Sequence, residues 1–324
     1  DHRDLHLSLR RQRQMCIRDR NNGHGLSTPN TEQFKGDSLA PRGNGYGVES
    51  LSIDGNNIVE VYTTVKEKIE SIRKNPRPIL LECFTFRMRG HEEASGTKYV
   101  PKDVMEYWEK KDPVVNFERY LVDRKIYSND EIVKERDRLK DEINEAVKIS
   151  FDNSNFDVNE DTEIEDVFYP YTQKVIHPKE KTMSERRYVD AISDSLDHNM
   201  RKYRDLVIMG QDISDYGGVF KVTEGFVKKF GRDRVRNTPL CESAIIGTAL
   251  GLSIEGIMSI VEMQFADFVS SGFNANVNNL AKTHYRWGQH VHVVVRMPTG
   301  AGVGAGPFHS QSNEAWFTHT PGLK

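Results

Sequence analysis

Two separate stretches of this chain alternate amphipathic helical patterns with short, continuous apolar runs. In the first, apolar residues recur at helical spacing from Ile58 to Ile72, prolines follow, and residues 79–87 form an apolar run. Asn56 and Ser184 are the expected N-caps of the first helix in each stretch. Such runs fit buried strands, so the alternation predicts two α/β units, each with a parallel sheet and flanking helices. The second stretch has its helical patterns and apolar runs at residues 185–202, 206–209, 242–252, 257–263, 266–284 and 291–296.

Length and composition narrow the class of protein. With 324 residues, the chain has room for about two domains. A net charge of -3, without a polybasic face in the helical patterns, argues against nucleic-acid binding. The apolar runs are too short to span a bilayer, so no membrane segment is expected. The three cysteines, Cys16, Cys83 and Cys241, have neither metal-site nor disulfide spacing, which favours the reducing cytoplasm.

The order of these patterns predicts four segments. Residues 1–20 are rich in arginine and lack apolar periodicity, so we interpret them as a sequencing artefact, with a disordered basic arm as the alternative. Residues 21–151 form the first α/β unit. Residues 152–182 are acidic and poor in large apolar side chains, which is typical of a linker. Residues 183–324 form the second unit.

A glutamate and a histidine stand out in the second unit. Glu242 opens a helical pattern rich in small residues, and His309 follows the glycine-rich loop at residues 300–306. From spacing alone, a glutamate in a first helical turn is explained by the helix dipole, and a lone histidine is usually structural. The loop lacks the G-x-G-x-x-G spacing before a helix, which argues against a dinucleotide site.

The first unit carries two further motifs. Residues 85–91 place Arg87 and His91 at the end of the predicted strand. Asn22 and His24 belong to an Asn-Asn-Gly-His run, which on its own is typical of a turn. Side-chain and carbonyl oxygens in such a turn are also the ligands that Mg²⁺ prefers.

Together these motifs resemble those of a known family. Residues 237–242, 262–268 and 308–312 are similar to the β part of the decarboxylating component of 2-oxoacid dehydrogenase complexes, most closely the branched-chain (2-oxoisovalerate) type. Residues 22–24 and 85–91 are similar to the α part. The resemblance implies two partial thiamine diphosphate-binding units, fused in one chain that is truncated at both ends. The Gly-Asp-Gly half of the cofactor motif, with its acidic metal ligand, is expected further upstream.

The resemblance also implies roles for individual residues. Glu242 would contact the aminopyrimidine ring of thiamine diphosphate, and His309 and His91 would handle protons near the reaction centre. The Asn22 side chain and the His24 carbonyl oxygen would bind Mg²⁺. The other residues expected to contact the cofactor are Leu240, Gln264, Phe268 and Arg87.

Several positions depart from the family pattern or modify it. Phe268 replaces a tyrosine, so a hydroxyl contact to the cofactor is expected to be absent. Gln211 replaces a common acid, which alters a supporting hydrogen bond. Glu92 stands where mitochondrial relatives carry a phosphorylatable serine, so kinase control there is not expected. Leu240 and Ile245, close to Glu242 in sequence, are expected to provide an apolar setting that favours the protonated carboxyl group.

The implied activity is oxidative decarboxylation of a branched-chain 2-oxoacid, such as 3-methyl-2-oxobutanoate. The acyl group would pass to the lipoyl-bearing transacylase core of a complex, and the enzyme would be a homo-oligomer with composite sites. Backbone carbonyls near residues 291–294 are candidate ligands for K⁺. The alternatives are a pyruvate or acetoin dehydrogenase of the same family, and a non-catalytic fragment without a complete cofactor site. Nothing in the sequence indicates the sugar-phosphate site of a transketolase-like enzyme.

Overall fold

The computed structural model describes residues 16–91, 96–153, 159–172, 175, 177 and 183–324. The chain divides into two compact units, Asp1–Asn155 and Phe156–Lys324. The four segment boundaries expected from the sequence stay a prediction. Among the described residues, no helix combines the length and the apolar composition that crossing a membrane requires.

The first unit is built on a three-stranded parallel sheet. Its elements, in chain order, are β1 Cys16–Asn21, β2 His24–Gly25, β3 Thr28–Pro29, α1 Asn30–Gln33, α2 Pro41–Gly45, β4 Glu49–Asp54, α3 Ile58–Lys74, β5 Ile79–Phe84, α4 Lys102–Glu109, α5 Pro113–Asp123 and α6 Asn129–Asp152. The strand order is β1-β5-β4, with β5 in the centre. Asn21 pairs with Phe84 and Asp54 pairs with Phe84, so all three strands end at the same edge. β2 and β3 form a separate antiparallel pair.

A small apolar core fixes α3 against this sheet. Ile53, Leu81 and Cys83 are buried, and Val61 and Val65 of α3 pack against them. The continuous apolar run of β5 is explained by its central position, since a strand with neighbours on both sides and helices above it is buried.

Helix boundaries in the first unit differ from the expectation in two places. The N-cap of α3 is Asn57, whose Oδ1 accepts a hydrogen bond from the Glu60 N–H, and not Asn56. The Asn56 side chain donates to the Lys111 carbonyl instead. Residues 102–150, whose sequence pattern also predicts a helical stretch, form three separate helices, because Pro113 and the Ser128 capping box each begin a new one.

The backbone of Cys16–Asn21 forms a strand that pairs with Ile79–Phe84. Part of the stretch interpreted as a sequencing artefact therefore takes part in the sheet. Residues 1–15 lie outside the described residues, and the origin of the stretch stays a prediction.

The second unit contains a four-stranded sheet in the order β7-β6-β8-β9, with every neighbouring pair parallel. Apolar clusters cover the sheet, one around Ile208 and Phe226 and one around Ile246 and Val261. This mixed α/β fold with parallel sheets and helices confirms the predicted fold class. The elements are α7 Glu160–Glu165, α8 Tyr188–Lys202, β6 Val207–Gly210, α9 Phe226–Phe230, β7 Val235–Asn237, α10 Glu242–Ile254, β8 Ser259–Glu262, a 3-10 helix Ala266–Gly272, a π-helix Ala275–Leu280, α11 Ala281–Trp287, β9 Val293–Arg296, a short 3-10 helix Ala301–Val303 and α12 Ala315–Thr318.

Three features of the second unit differ from the sequence pattern. α8 begins at Tyr188, with Arg187 at the N-cap, so Ser184 is not the cap. A short helix, α7, forms within the segment interpreted as an irregular linker, capped by the Asn159 side chain. The helix expected over residues 266–284 is divided into 3-10, π and α parts.

Candidate active site

The loop after β6 connects two of the predicted site residues. Gln211 Nε2 donates a hydrogen bond to Glu242 Oε1 over 3.0 Å. The next residue, Asp212, accepts a hydrogen bond through Oδ2 from Gln264 Nε2, also over 3.0 Å. Asp212 has a φ of 57°, a left-handed conformation that aspartate tolerates better than most residues. Glu242 and Gln264 are thus held at the carboxyl ends of the strands, where parallel α/β sheets bind their ligands.

A glycine allows the 3-10 helix to approach the first turn of α10. A Cβ atom at Gly272 would lie 2.5 Å from Ile246 Cδ1 and 3.3 Å from the Glu242 carbonyl oxygen. A larger residue would therefore push this helix away from Glu242. Leu240 does not supply the expected apolar cover, because it follows Pro239 in the connection to α10 and its side chain is 82% exposed.

His309 lies against two aromatic rings. Its ring centroid is 5.0 Å from that of Phe265 and 5.3 Å from that of Phe268, with both contacts edge-on. The loop that carries His309 is held by Asp267, whose Oδ1 accepts a hydrogen bond from the Gln311 N–H over 3.3 Å. Phe265 directly follows Gln264, so His309, Gln264 and Glu242 belong to one connected set of contacts.

A buried ion pair supports this edge of the sheet. Glu262 ends β8 and is 2% exposed, and its Oε2 accepts hydrogen bonds from Arg296 Nη2 at 2.5 Å and Nε at 3.1 Å. Burial raises the pKa of Glu262 above its ordinary value, although Arg296 acts to lower it. Arg296 has no place among the sequence predictions. Its position as a charged residue at the end of the apolar run at residues 291–296 could have drawn attention to it.

The first unit brings four predicted residues into one small pocket. Asn22, His24, Arg87 and His91 line it, together with Leu26, Phe86, Tyr99 and Val100. The His24 ring lies edge-on to Phe86, with centroids 6.0 Å apart. This convergence follows from the sheet, since β1 and β5 end side by side. Glu92 lies outside the described residues.

The Asn-Asn-Gly-His run forms a turn in which side chains accept from the backbone. Asn21 Oδ1 accepts from the Gly23 N–H, and Asn22 Oδ1 accepts from the His24 N–H, each over 3.1 Å. Gly23 has a φ of 80°, the left-handed region that glycine enters without strain. A carboxamide oxygen has two lone pairs, so Asn22 Oδ1 keeps one acceptor position.

A buried carboxylate, which the sequence interpretation missed, lies beneath this turn. Glu82, in β5, is 0% exposed. Although burial raises its pKa, hydrogen bonds from Asn21, Leu39, Ser38 and Ala40 hold the pKa of Glu82 at about 2. A glutamate within an otherwise apolar strand run was the signal that could have revealed it.

The polar groups at these two places are of the kinds that a pyrimidine ring and a hard cation would use. Gln211 Oε1 is buried beside Glu242 and accepts no hydrogen bond within the described residues, which suits a donor such as a pyrimidine amino group. Asn22 and His24 offer oxygen ligands of the kind Mg²⁺ requires. Among the described residues, no group of three or more His, Cys, Asp or Glu side chains could hold a metal.

Comparisons with known proteins agree with both halves of this description. Residues 6–158 match the family described as "Dehydrogenase E1 component". Residues 184–324 match the family described as "Transketolase, pyrimidine binding domain". Together, these matches cover most of the chain and support a thiamine diphosphate-dependent 2-oxoacid dehydrogenase component.

Several similar curated proteins are β subunits, some named for 2-oxoisovalerate and others for pyruvate. The chain is 42% identical over 146 residues to 2-oxoisovalerate dehydrogenase subunit beta of Bacillus subtilis, covering 44% of each chain. It is 41% identical over 144 residues to pyruvate dehydrogenase E1 component subunit beta of Staphylococcus aureus, again covering 44% of each. With the mitochondrial 2-oxoisovalerate dehydrogenase subunit beta of Dictyostelium discoideum, identity is 44% over 137 residues, or 41% of this chain and 37% of the relative. The chain thus spans less than half the length of these relatives.

Proposed function

We propose that the full-length protein containing this chain decarboxylates a branched-chain 2-oxoacid, such as 3-methyl-2-oxobutanoate, with thiamine diphosphate and Mg²⁺. The observation that carries this proposal is the linked pair of contacts in which consecutive loop residues hold Glu242 and Gln264. A carboxylate and an amide held at a strand edge suit a pyrimidine ring, which presents both donors and acceptors. Thiamine diphosphate, when bound, would supply the electron sink for decarboxylation.

The residues of this chain would bind and orient the cofactor. Gln211 already donates to Oε1 of Glu242, so we assign the contact with the pyrimidine to Oε2. Gln264, Phe268 and Leu240 would contribute the other contacts, with Leu240 available because its side chain is exposed.

His309 and His91 would hold or release protons of the substrate. The edge-on rings of Phe265 and Phe268 fix the His309 imidazole and limit the access of water to it. Arg87 shares a pocket with His91 and is a candidate for contacts with the diphosphate.

The remaining parts of the proposal follow the family. Asn22 and the His24 carbonyl would provide two of the oxygen ligands of Mg²⁺. K⁺ would bind near residues 291–294, where β9 pairs with β8 alone among the described strands. The protein would be a cytoplasmic homo-oligomer that passes its acyl group to a lipoyl-bearing transacylase core, with no nucleic-acid or membrane partner.

Pyruvate is the second candidate substrate, because pyruvate dehydrogenase subunits stand beside the branched-chain ones among the relatives. The test compares decarboxylation of 3-methyl-2-oxobutanoate and pyruvate by the full-length protein, with thiamine diphosphate, Mg²⁺ and an artificial electron acceptor. A higher kcat/KM for the branched acid supports the proposal. A higher value for pyruvate keeps the reaction and changes the substrate, whereas no turnover of either acid favours a non-catalytic protein.

A further inference from the structure

Glu82 accepts hydrogen bonds from neutral groups that approach from two sides. Its Oε1 accepts from Asn21 Nδ2 over 2.7 Å, on the side of the turn. On the other side, the Ala40 N–H and the Ser52 hydroxyl donate to Oε2 over 3.0 Å and 2.8 Å, and the Leu39 N–H lies 2.9 Å from both oxygens. Because both oxygens are used, the carboxylate has a fixed orientation.

This orientation determines how the Asn21 amide is turned. The Asn21 Nδ2 faces Glu82, so its Oδ1 must face the other way. There it accepts from the Gly23 N–H over 3.1 Å and from Asn30 Nδ2 over 2.5 Å. Glu82 is therefore linked to the turn at residues 21–24 through the Asn21 side chain, whose amide group can adopt only one orientation.

We propose that Glu82 is a positioning residue for the metal site, holding Asn21 so that the turn presents Asn22 Oδ1 and the His24 carbonyl oxygen to Mg²⁺. This inference rests on the proposed function for the identity of the cation. Glu82 itself touches neither the metal nor the cofactor. Its effect passes through Asn21 and the Gly23 N–H.

Glu82→Gln is the direct test of this link. Glutamine has one acceptor oxygen, which can face Asn21 or the Ala40 N–H, but not both, whereas the Leu39 N–H reaches either position. If that oxygen faces the two backbone amides, the glutamine NH₂ group meets Asn21 Nδ2 and the Asn21 amide has to turn over. The hydrogen bond to the Gly23 N–H is then lost.

Ser52→Ala is the matched control. It removes a donor to the same carboxylate, but from the side away from the turn. A loss of general support for β5 would affect both variants alike. An effect through Asn21 would appear with Glu82→Gln and with Asn21→Ala, and not with Ser52→Ala.

The first measurement is hydrogen exchange of the backbone amides of residues 22–24 in the full-length protein without metal. We expect exchange about tenfold faster in Glu82→Gln and Asn21→Ala than in the wild type or Ser52→Ala, since the hydrogen bond from the Gly23 N–H to Asn21 Oδ1 is lost. Equal rates in Glu82→Gln and Ser52→Ala would overturn the inference. If Glu82→Gln does not fold, Asn21→Ala tests the same link.

The second measurement is calorimetric titration with Mg²⁺ in the presence of thiamine diphosphate. We expect about tenfold weaker Mg²⁺ binding in each of the two variants and no further loss in the double variant, because both act on one path. The Mg²⁺ concentration for half-maximal activity should rise by a larger factor than kcat falls. Additive losses would overturn the inference. A wild-type protein that binds no Mg²⁺ would overturn the proposed function as well, and the exchange rates separate these two failures.

Discussion

The two units each bury a glutamate in the central part of a parallel sheet, and they stabilise its charge in different ways. Glu82 in the first unit is surrounded by neutral hydrogen-bond donors, and its pKa falls to about 2. Glu262 in the second unit has an arginine partner at 2.5 Å, yet its pKa is raised because burial has the larger effect. Neutral donors thus outweigh burial at Glu82, whereas burial outweighs the arginine at Glu262.

The two carboxylates also support different parts of the structure. Glu82 orients a turn through Asn21. Glu262 lies under the loop after β6, where a Cβ atom at Gly218 would be 3.2 Å from its Oε1. Removing the first carboxylate should therefore alter a binding turn, and removing the second should mainly loosen the sheet edge.

The largest expected effect belongs to neither buried glutamate but to the half-buried Glu242. In the full-length protein, Glu242→Gln should lower kcat by about 100-fold to 10,000-fold, because the carboxyl group that we propose takes part in proton transfer is replaced by an amide. The amide can still bond to Gln211, so the thermal midpoint should change little. Ser243→Ala, in the same helical turn, is the control for steady-state kinetics. Full activity of Glu242→Gln would remove this residue from the mechanism.

Glu262→Gln should destabilise the protein by about 3–5 kcal/mol, because Arg296 then loses its opposite charge in a largely buried position. Urea unfolding measures this loss. Replacing both partners, with Glu262→Gln and Arg296→Met, should recover much of the stability. If the single variant is as stable as the wild type, the Glu262–Arg296 ion pair does not support the protein in the way proposed here.

Glu82 should make stability depend on pH in the acidic range. Its pKa is about 2 in the folded protein, against an ordinary value of 4.5, so the folded state favours the charged form. The resulting stabilisation of about 3 kcal/mol is complete above pH 4.5 and disappears as the pH falls towards 2. Urea unfolding of the wild type and Glu82→Gln at several pH values should give curves that converge in acid. A difference that stays constant with pH would contradict this assignment.

Exposed ion pairs should matter least. Arg136 forms a two-point contact with Glu118 between α5 and α6, with distances of 2.6 Å and 2.8 Å. Water screens such a pair, so Arg136→Ala should shift the urea midpoint far less than either buried-glutamate variant. A shift as large as that of Glu262→Gln would show that burial is not what distinguishes these carboxylates.

Local patterns were sufficient to predict the fold class and the residues at the strand ends. Continuous apolar runs marked β5 and β8, and the motifs that follow them contained His91 and Gln264. Asn22 follows β1, which lies in the stretch interpreted as a sequencing artefact and was not predicted. The predicted residues of the first unit do share one pocket. Their roles in chemistry stay predictions.

Contacts between distant parts of the chain could not be predicted in this way. Asn21 and Glu82 are 61 positions apart, and Asp212 and Gln264 are 52 apart. Only strand order and register bring such pairs together, and neither is written in a local pattern. For the same reason, the exposure of Leu240 could not be predicted, since it depends on the path of the chain after β7.

The most direct test of the account is calorimetric titration of the full-length protein with thiamine diphosphate. We predict saturable binding that is abolished when Mg²⁺ is chelated and is at least about tenfold weaker in Asn22→Ala, which loses an oxygen ligand. Glu242→Gln should also weaken binding, because it changes the group that faces the pyrimidine. Binding that is unaffected by chelation and by both substitutions would contradict the proposed roles of Asn22 and Glu242.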